Sequence, residues 1–163
     1  IGKVKKAFVR FSTDGLVIVN VIERKEAVVF FNNDLYEVLD GNGVILSTKQ
    51  NYEGLSSFPL LVGKDASKNI NALLALVNEI GSYQSEVLYY EWVGERRWDI
   101  HMKSELVFKL PENNLNKGLK VMRMFLRETN NLSKPVVSVD LRNIDKPIVR
   151  FRKAHLSNTF GKI

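Results

Sequence analysis

The chain contains no cysteine and only two histidines among its 163 residues. The absence of cysteine excludes disulfide bonds, thiol catalysis and zinc sites built on thiolates. The two histidines, His101 and His155, have no partner at a spacing that would build a zinc site or a catalytic triad. We therefore expect no metal and no cofactor.

Long apolar runs are also missing. The longest uninterrupted ones, residues 72–77, 27–31 and 58–62, are far shorter than the roughly 20 residues that cross a bilayer. The chain begins with Ile1 rather than Met and has no secretory signal, so we expect a fragment of a longer protein. Its 45% apolar and 26% charged residues are typical of a soluble globular domain.

Positive charge is in moderate excess, with 24 basic and 18 acidic residues and a formal net charge of +6. Such an excess favours anionic partners, so a basic module that binds nucleic acid or lipid headgroups is one alternative. The only basic cluster, however, is Lys3, Lys5, Lys6 and Arg10. The loops lack the aromatic residues, with glycine and arginine, on which single strands stack. We expect no nucleic-acid partner.

Alternating β-branched and aromatic residues predict many strands. Turn residues at 12–15 and 32–34 indicate two hairpins, and Asp40-Gly41-Asn42-Gly43 is the strongest turn signal of the chain. The predicted strands are residues 7–11, 16–23, 27–31, 35–39, 44–46, 58–62, 86–93, 97–103, 106–110, 136–141 and 148–152.

Two segments have the spacing of amphipathic helices, residues 66–80 and 114–128. Their apolar stripes, which we expect to be buried, are Ile70, Leu73, Leu74 and Val77, and Leu115, Leu119, Met122 and Leu126. Runs of consecutive strands between the helices favour an α+β fold over a doubly wound sheet. The sequence therefore predicts an antiparallel or mixed β-sheet with both helices on one face.

Catalytic motifs are scarce. Three carboxylates cluster at Glu91, Glu95 and Asp99, but Arg96 and Arg97 lie among them. A charge-paired strand face explains this pattern better than the acid/base pair of a hydrolase. A cell-envelope enzyme acting on peptidoglycan remains an alternative, which would need these carboxylates to meet in a pocket. We expect no enzymatic activity.

Five segments together resemble the extracytoplasmic part of the bacterial cell-division family FtsQ/DivIB. One of them, Arg96-Arg97-Trp98-Asp99-Ile100, leads to Leu110-Pro111-Glu112, in the same order as in that family. The other four are residues 16–29, 38–44, 58–63, and 137–142 with 149–151.

The resemblance implies three regions. Residues 1–24 would be the C-terminal part of a small POTRA module, residues 25–152 the FtsQ-type β domain, and residues 153–163 a C-terminal tail. It also implies an essential, non-catalytic scaffold at the division septum. Such a scaffold binds FtsB and FtsL coiled-coil proteins on the periplasmic side of the cell inner membrane and helps to control septal peptidoglycan synthesis. A single-pass membrane helix would precede the residues present here.

The resemblance further implies a partner-binding site at the last strand. Pro147 cannot donate a ladder hydrogen bond, which favours an edge position for the strand it opens. Phe151 would be the hydrophobic anchor of an added partner strand, and Arg96 or Arg97 would contact an acidic partner segment. The expected site residues are Arg96, Arg97, Arg142, Asn143, Asp145, Ile148, Val149 and Phe151.

Overall fold

The computed structural model describes residues 2–128 and 135–152, which form two separate sheets. The first is a hairpin of β1, Val4–Phe11, and β2, Val17–Glu23. The second is a nine-stranded sheet that contains strands β3 to β11, which are numbered in chain order. These strands are β3 Glu26–Asn32, β4 Leu35–Asp40, β5 Ile45–Lys49, β6 Leu60–Val62, β7 Val87–Val93, β8 Arg97–Met102, β9 Val107–Lys109, β10 Val136–Asp140 and β11 Ile148–Phe151.

The nine-stranded sheet is mixed. Its spatial order is β11-β10-β9-β8-β7-β6-β3-β4-β5. Strand β6 runs parallel to both of its neighbours, and β9 runs parallel to β10. Two of these parallel pairs are joined through helices, α1 Ile70–Ile80 and α2 Leu115–Glu128. A helical crossover returns the chain to the end at which the previous strand began, so the next strand runs in the same direction. The predicted α+β class is confirmed.

Both helices cover the same face of this sheet. They contribute to one buried cluster with the inward side chains of the strands, among them Tyr90, Ile100 and Phe108. The Arg123 guanidinium of α2 donates to the main-chain carbonyl of Glu79 on α1, so the helices also contact each other. On the opposite face, a second cluster lies beside β3 and β4, where Leu55 packs on Val29 and Val38.

Three residues of the predicted helix stripes, Leu74, Leu115 and Leu126, are half-buried rather than buried. Leu74 lies at the margin of the α1 stripe, where Leu76 takes the buried position instead. Leu115 and Leu126 occupy the first and last turns of α2, where a helix has fewer neighbours. The other five members are buried as expected.

The start of the first helix also differs from the prediction. The segment Ala66–Asn69 forms a 3-10 turn before α1, and Asp65 adopts a left-handed conformation with φ 57°. Its carboxylate pairs with Lys68 at 2.6 Å instead of capping the helix. At the other end of α1, Gly81 has φ 61° and its N–H donates to the carbonyl of Val77. Neither helix of the described residues is long and apolar enough to cross a membrane.

Candidate partner-binding site

The last strand, β11, lies at one end of the nine-stranded sheet, as Pro147 predicts. Within the described residues its only neighbour is β10, to which it is antiparallel. The side of β11 that faces away from β10 therefore exposes main-chain groups that another strand could pair with.

The main-chain hydrogen bonds show which groups these are. The Arg152 N–H donates to the Pro135 carbonyl at 2.9 Å, so residue 152 faces β10. Because N–H and C=O groups alternate sides along a strand, Val149 and Phe151 point theirs away from the sheet. On the far side of β10, the Leu141 N–H donates to the Lys109 carbonyl at 2.9 Å, which fits the same alternation.

The side chains of β11 divide between the core and the solvent. Val149 packs against the main core cluster, so its side chain has a structural role. Phe151 is 48% exposed and Ile148 is 59% exposed. Phe151 therefore does not simply close the core.

The loop between β10 and β11 is held by two local interactions. Arg142 forms a fork with Asp140, donating at 2.9 Å from Nε and at 2.6 Å from Nη2. These side-chain hydrogen bonds lower the pKa of Asp140, although partial burial opposes them. Asn143 Oδ1 accepts the Asp145 N–H at 3.1 Å, which forms a tight turn. Both interactions constrain the chain before β11.

The two adjacent arginines have different environments. Arg97 donates to Asp99 at 3.1 Å, and its side chain is only 14% exposed. Arg96 lies in the β7–β8 turn with a 60% exposed side chain, 4.0 Å from Glu112. Arg96 is therefore the arginine that can reach another molecule.

Asp99 is buried, which the alternating pattern of β8 did not predict. Burial raises the pKa of its carboxyl, and the nearby Arg97 guanidinium only partly offsets this effect. On the same sheet face, Glu91 lies opposite Asp99 and pairs with His101 at 2.8 Å. Glu95 instead pairs with Lys64 at 2.8 Å. The three carboxylates of the hydrolase alternative thus each have a different partner, Arg97 for Asp99, His101 for Glu91 and Lys64 for Glu95.

The expected site residues fall into two groups. Arg96 and the loop at 142–145 lie at one end of the sheet, connected through Glu112, which contacts Arg96 and lines a surface cavity with Arg142, Asn143 and Asp145. Phe151 lies at the opposite end of β11. Strands β8 and β11 are three positions apart in the sheet, a separation of about 14 Å. A single partner would have to follow β11 from one end to the other to contact both groups.

Sequence reasoning missed the row of side chains that connects β8 to the edge. The strand register places Asp99, Lys109, Asp140 and Ile148 side by side on the face without helices. It also missed Glu105, which pairs with Arg152 beside the end of β11. No local sequence pattern predicts these contacts, because they depend on which distant strands become neighbours in the sheet.

The fold and this site define an α+β domain with one helix-covered face, one partly charged face and an open terminal strand. Comparison of the sequence with known proteins identifies the family of this domain. The model of the family "Cell division protein FtsQ/DivIB, C-terminal" matches residues 27–142, and the chain belongs to this family.

Curated relatives show the same relationship. The chain is 27% identical over 134 residues to the cell division protein FtsQ of Rhizobium radiobacter, covering 82% of this chain and 63% of that protein. It is 29% identical over 136 residues to FtsQ of Bradyrhizobium diazoefficiens, covering 83% and 40%. The chain thus spans less than two thirds of the length of these relatives.

One solved structure is also similar, the major extracytoplasmic domain of the cell division protein DivIB from Geobacillus stearothermophilus. The match covers 69% of this chain and 99% of that one, with a TM-score of 0.47 and 14% identity.

Proposed function

We propose that the chain is a scaffold of the bacterial division machinery, which binds a coiled-coil partner of the FtsB or FtsL type at β11. Its membership of a cell-division family supports the division role. The observation that carries the binding mode is the open edge of β11, where Val149 and Phe151 direct their main-chain groups away from β10. An extended segment that adds to such an edge gains main-chain hydrogen bonds and a defined register.

The side chains around this edge support the same mode. Phe151 offers an exposed aromatic anchor, and aromatic residues are enriched among the strongest contacts of interfaces. Arg96, exposed in the β7–β8 turn, adds a positive charge for an acidic segment of the partner. The fork between Arg142 and Asp140 fixes the loop before β11, so less conformational entropy is lost when a partner binds.

The cellular setting forms part of the proposal. The domain would lie on the periplasmic side of the cell inner membrane at the septum, following a single-pass helix. There it would help to control septal peptidoglycan synthesis by holding its partners in place. These statements rest on the family, and the chain spans 63% and 40% of the length of the two relatives named above.

The test compares the binding of an FtsB-type segment by the wild-type chain and by variants of β11. Phe151→Ala removes the anchor, and we expect it to weaken binding by about ten-fold or more. Val149→Pro removes an outward N–H without removing a β10 ladder donor, and it should weaken binding as well. Met124→Ala, a change at an apolar residue 57% exposed on α2, is the matched control.

Circular dichroism and thermal unfolding establish that each variant is folded. Unchanged affinity in folded Phe151→Ala and Val149→Pro variants would exclude strand addition at this edge. An equal loss of affinity in Met124→Ala would assign the interface to the helical face instead.

A further inference from the structure

The nine-stranded sheet has a gap beside the first half of β7. Strand β6 has only three residues, and its register pairs Leu61 with Tyr90 and Val62 with Glu91. Within the described residues, no strand therefore pairs with Val87–Tyr89 on the β6 side. The other side of this segment pairs with β8 through a bulge between Val87 and Tyr89. The Val87 N–H donates to the carbonyl of Gln84 in the preceding turn, so the unpaired main-chain side of β7 begins after this group.

A cavity of about 500 Å³ opens at this gap, and we call it the β7 cleft. The loop at 56–60 and the turn that follows α1, with Ser82 and Ser85, form its walls. The rest of the lining consists of Tyr52, Val87, Leu88, Tyr90 and Lys103. Its size is within the range of sites that hold small ligands or short peptides.

Tyr90 contributes a polar group that lacks a partner. The residue is 1% exposed, and its hydroxyl has no hydrogen-bond partner among the described residues. Buried hydroxyls are normally paired, so this one marks a place where a ligand atom would be favourable. Burial raises the pKa of Tyr90, which keeps the hydroxyl protonated and able to donate.

The β7 cleft carries positive charge and no negative charge among the described residues that line it. Among the described residues that line it, Lys103 is the only charged one, and its ammonium group donates to the Ser85 carbonyl at 2.7 Å. None of these lining residues carries a carboxylate. Leu88, 51% exposed, adds an apolar surface at the same place. This combination of an unpaired strand, a free donor and a lone ammonium group suits an extended peptide that carries a carboxylate.

We propose that the β7 cleft binds an extended acidic peptide segment, which adds beside Val87–Tyr89. In this complex a peptide carbonyl accepts the Tyr90 hydroxyl, and a side-chain carboxylate of the peptide contacts Lys103. The site is four strands away from β11 in the sheet, so it is separate from the proposed partner-binding edge.

The probe is a capped hexapeptide of alternating valine and serine with one central glutamate, together with its glutamine counterpart. We expect titration of the full chain with the glutamate peptide to shift the amide NMR signals of Ser57, Ser85 and Leu88. Tyr90→Phe and Lys103→Gln should each weaken binding by about three- to ten-fold. The glutamine peptide should bind the wild-type chain more weakly, yet bind Lys103→Gln as well as the glutamate peptide does.

Two controls separate this site from others. Tyr83→Phe removes a hydroxyl from a half-buried tyrosine outside the cleft lining, and Phe151→Ala alters the β11 edge. Both should retain wild-type affinity for the glutamate peptide. Tyr90→Phe removes a hydroxyl without a partner, so it should fold as well as the wild-type chain. Signal shifts confined to β11, or unchanged affinity in both Tyr90→Phe and Lys103→Gln, would overturn the proposal.

Discussion

Arg24 donates a 2.6 Å hydrogen bond to Asp40 and so joins the end of the β1–β2 hairpin to the turn after β4. Asp40 is buried, and its Oδ1 also accepts the N–H groups of Asn42 and Val44 at 2.8 and 2.9 Å. One carboxylate thus closes the Asp-Gly-Asn-Gly turn and contacts the first residue after the hairpin.

Asp40→Asn should lower the free energy of unfolding at pH 7 by about 1–3 kcal/mol, because it removes the charge that Arg24 and the turn amides stabilise. Burial raises the pKa of Asp40, but the hydrogen bonds from Val44, Arg24 and Asn42 bring it below its ordinary value. Its contribution is therefore complete above about pH 4 and is lost as the pH falls through the lowered pKa. Urea unfolding between pH 2 and 7 measures this difference.

Arg24→Met is the matched control, since it removes the same ion pair from the other side. If the free energy of unfolding of Asp40→Asn remained just as far below that of the wild-type chain at the lowest pH, the predicted role of the Asp40 charge would be contradicted.

Asp99 should show the opposite dependence on pH. Burial raises its pKa above the unfolded value, so ionisation disfavours the folded state, and stability is lost as the pH rises through the raised pKa. Asp99→Asn keeps an acceptor for Arg97 and removes this ionisation. We expect the free energy of unfolding at pH 7 to stay unchanged or to rise by up to about 1 kcal/mol. Urea unfolding between pH 2 and 7 measures this free energy. If Asp99→Asn lowered it as much as Asp40→Asn does, the charge of Asp99 would be needed for the stability of the folded chain.

Arg96 and Arg97 should separate binding from stability. Arg97→Glu places a negative charge beside buried Asp99, so we expect a loss of about 2–4 kcal/mol in the free energy of unfolding. Arg96→Glu changes an exposed side chain and should alter stability by less than about 0.5 kcal/mol. Thermal unfolding and binding of an FtsB-type segment are measured for both, and only Arg96→Glu should lower affinity in a fully folded chain. Equal thermal midpoints for the two variants would refute the distinction.

Gly118→Ala should destabilise the chain, although alanine favours helices over glycine by about 1 kcal/mol. A Cβ atom at residue 118 would lie 2.5 Å from Cδ of Pro111 and 2.9 Å from its Cγ. Such overpacking lowers the free energy of unfolding by about 1–3 kcal/mol. Lys120→Ala, at an exposed position of the same helix, is the control for helix propensity, and chemical denaturation compares the two. A stabilised Gly118→Ala variant would mean that Pro111 can move aside.

The region boundary implied by the family resemblance can be tested by truncation. The hairpin forms its own sheet and contributes no residue to the two core clusters. A fragment of residues 24–152 should therefore unfold cooperatively, with a denaturation midpoint close to that of the full chain. A fragment of residues 26–152 lacks Arg24 and should be weaker by about as much as Arg24→Met. Failure of the longer fragment to fold would show that the hairpin and the large sheet form one unit.

The apolar side chains of the hairpin are exposed on one of its faces. Val9, Phe11, Val17 and Val19 share one face and are all exposed in the described chain. Phe8 and Arg10 lie on the other face, where the Lys6 ammonium group lies 4.6 Å from the Phe8 ring centre. The basic cluster of the sequence thus belongs partly to this small sheet.

Residues 153–163, the predicted C-terminal tail, lie outside the described residues.

Local patterns in the sequence determined the hairpins, both helices and the position of β11 at an edge. Each of these depends on neighbours within a few residues: the left-handed turn at Asn33 and Asp34, the 3.6-residue periodicity of α1, and the missing N–H of Pro147. The family resemblance rested on such local segments as well, and the family is confirmed.

Only the tertiary structure decided which distant groups meet. The burial of Asp99, the pairing of Arg97 with it and the gap beside β7 all follow from the order and register of strands that are far apart in the chain. A period of two indicates that alternate side chains share a face, but it does not show what covers that face. The exposure of Arg96 to solvent and the burial of Tyr90 beside the β7 cleft were therefore set by packing between distant segments and not by any local pattern.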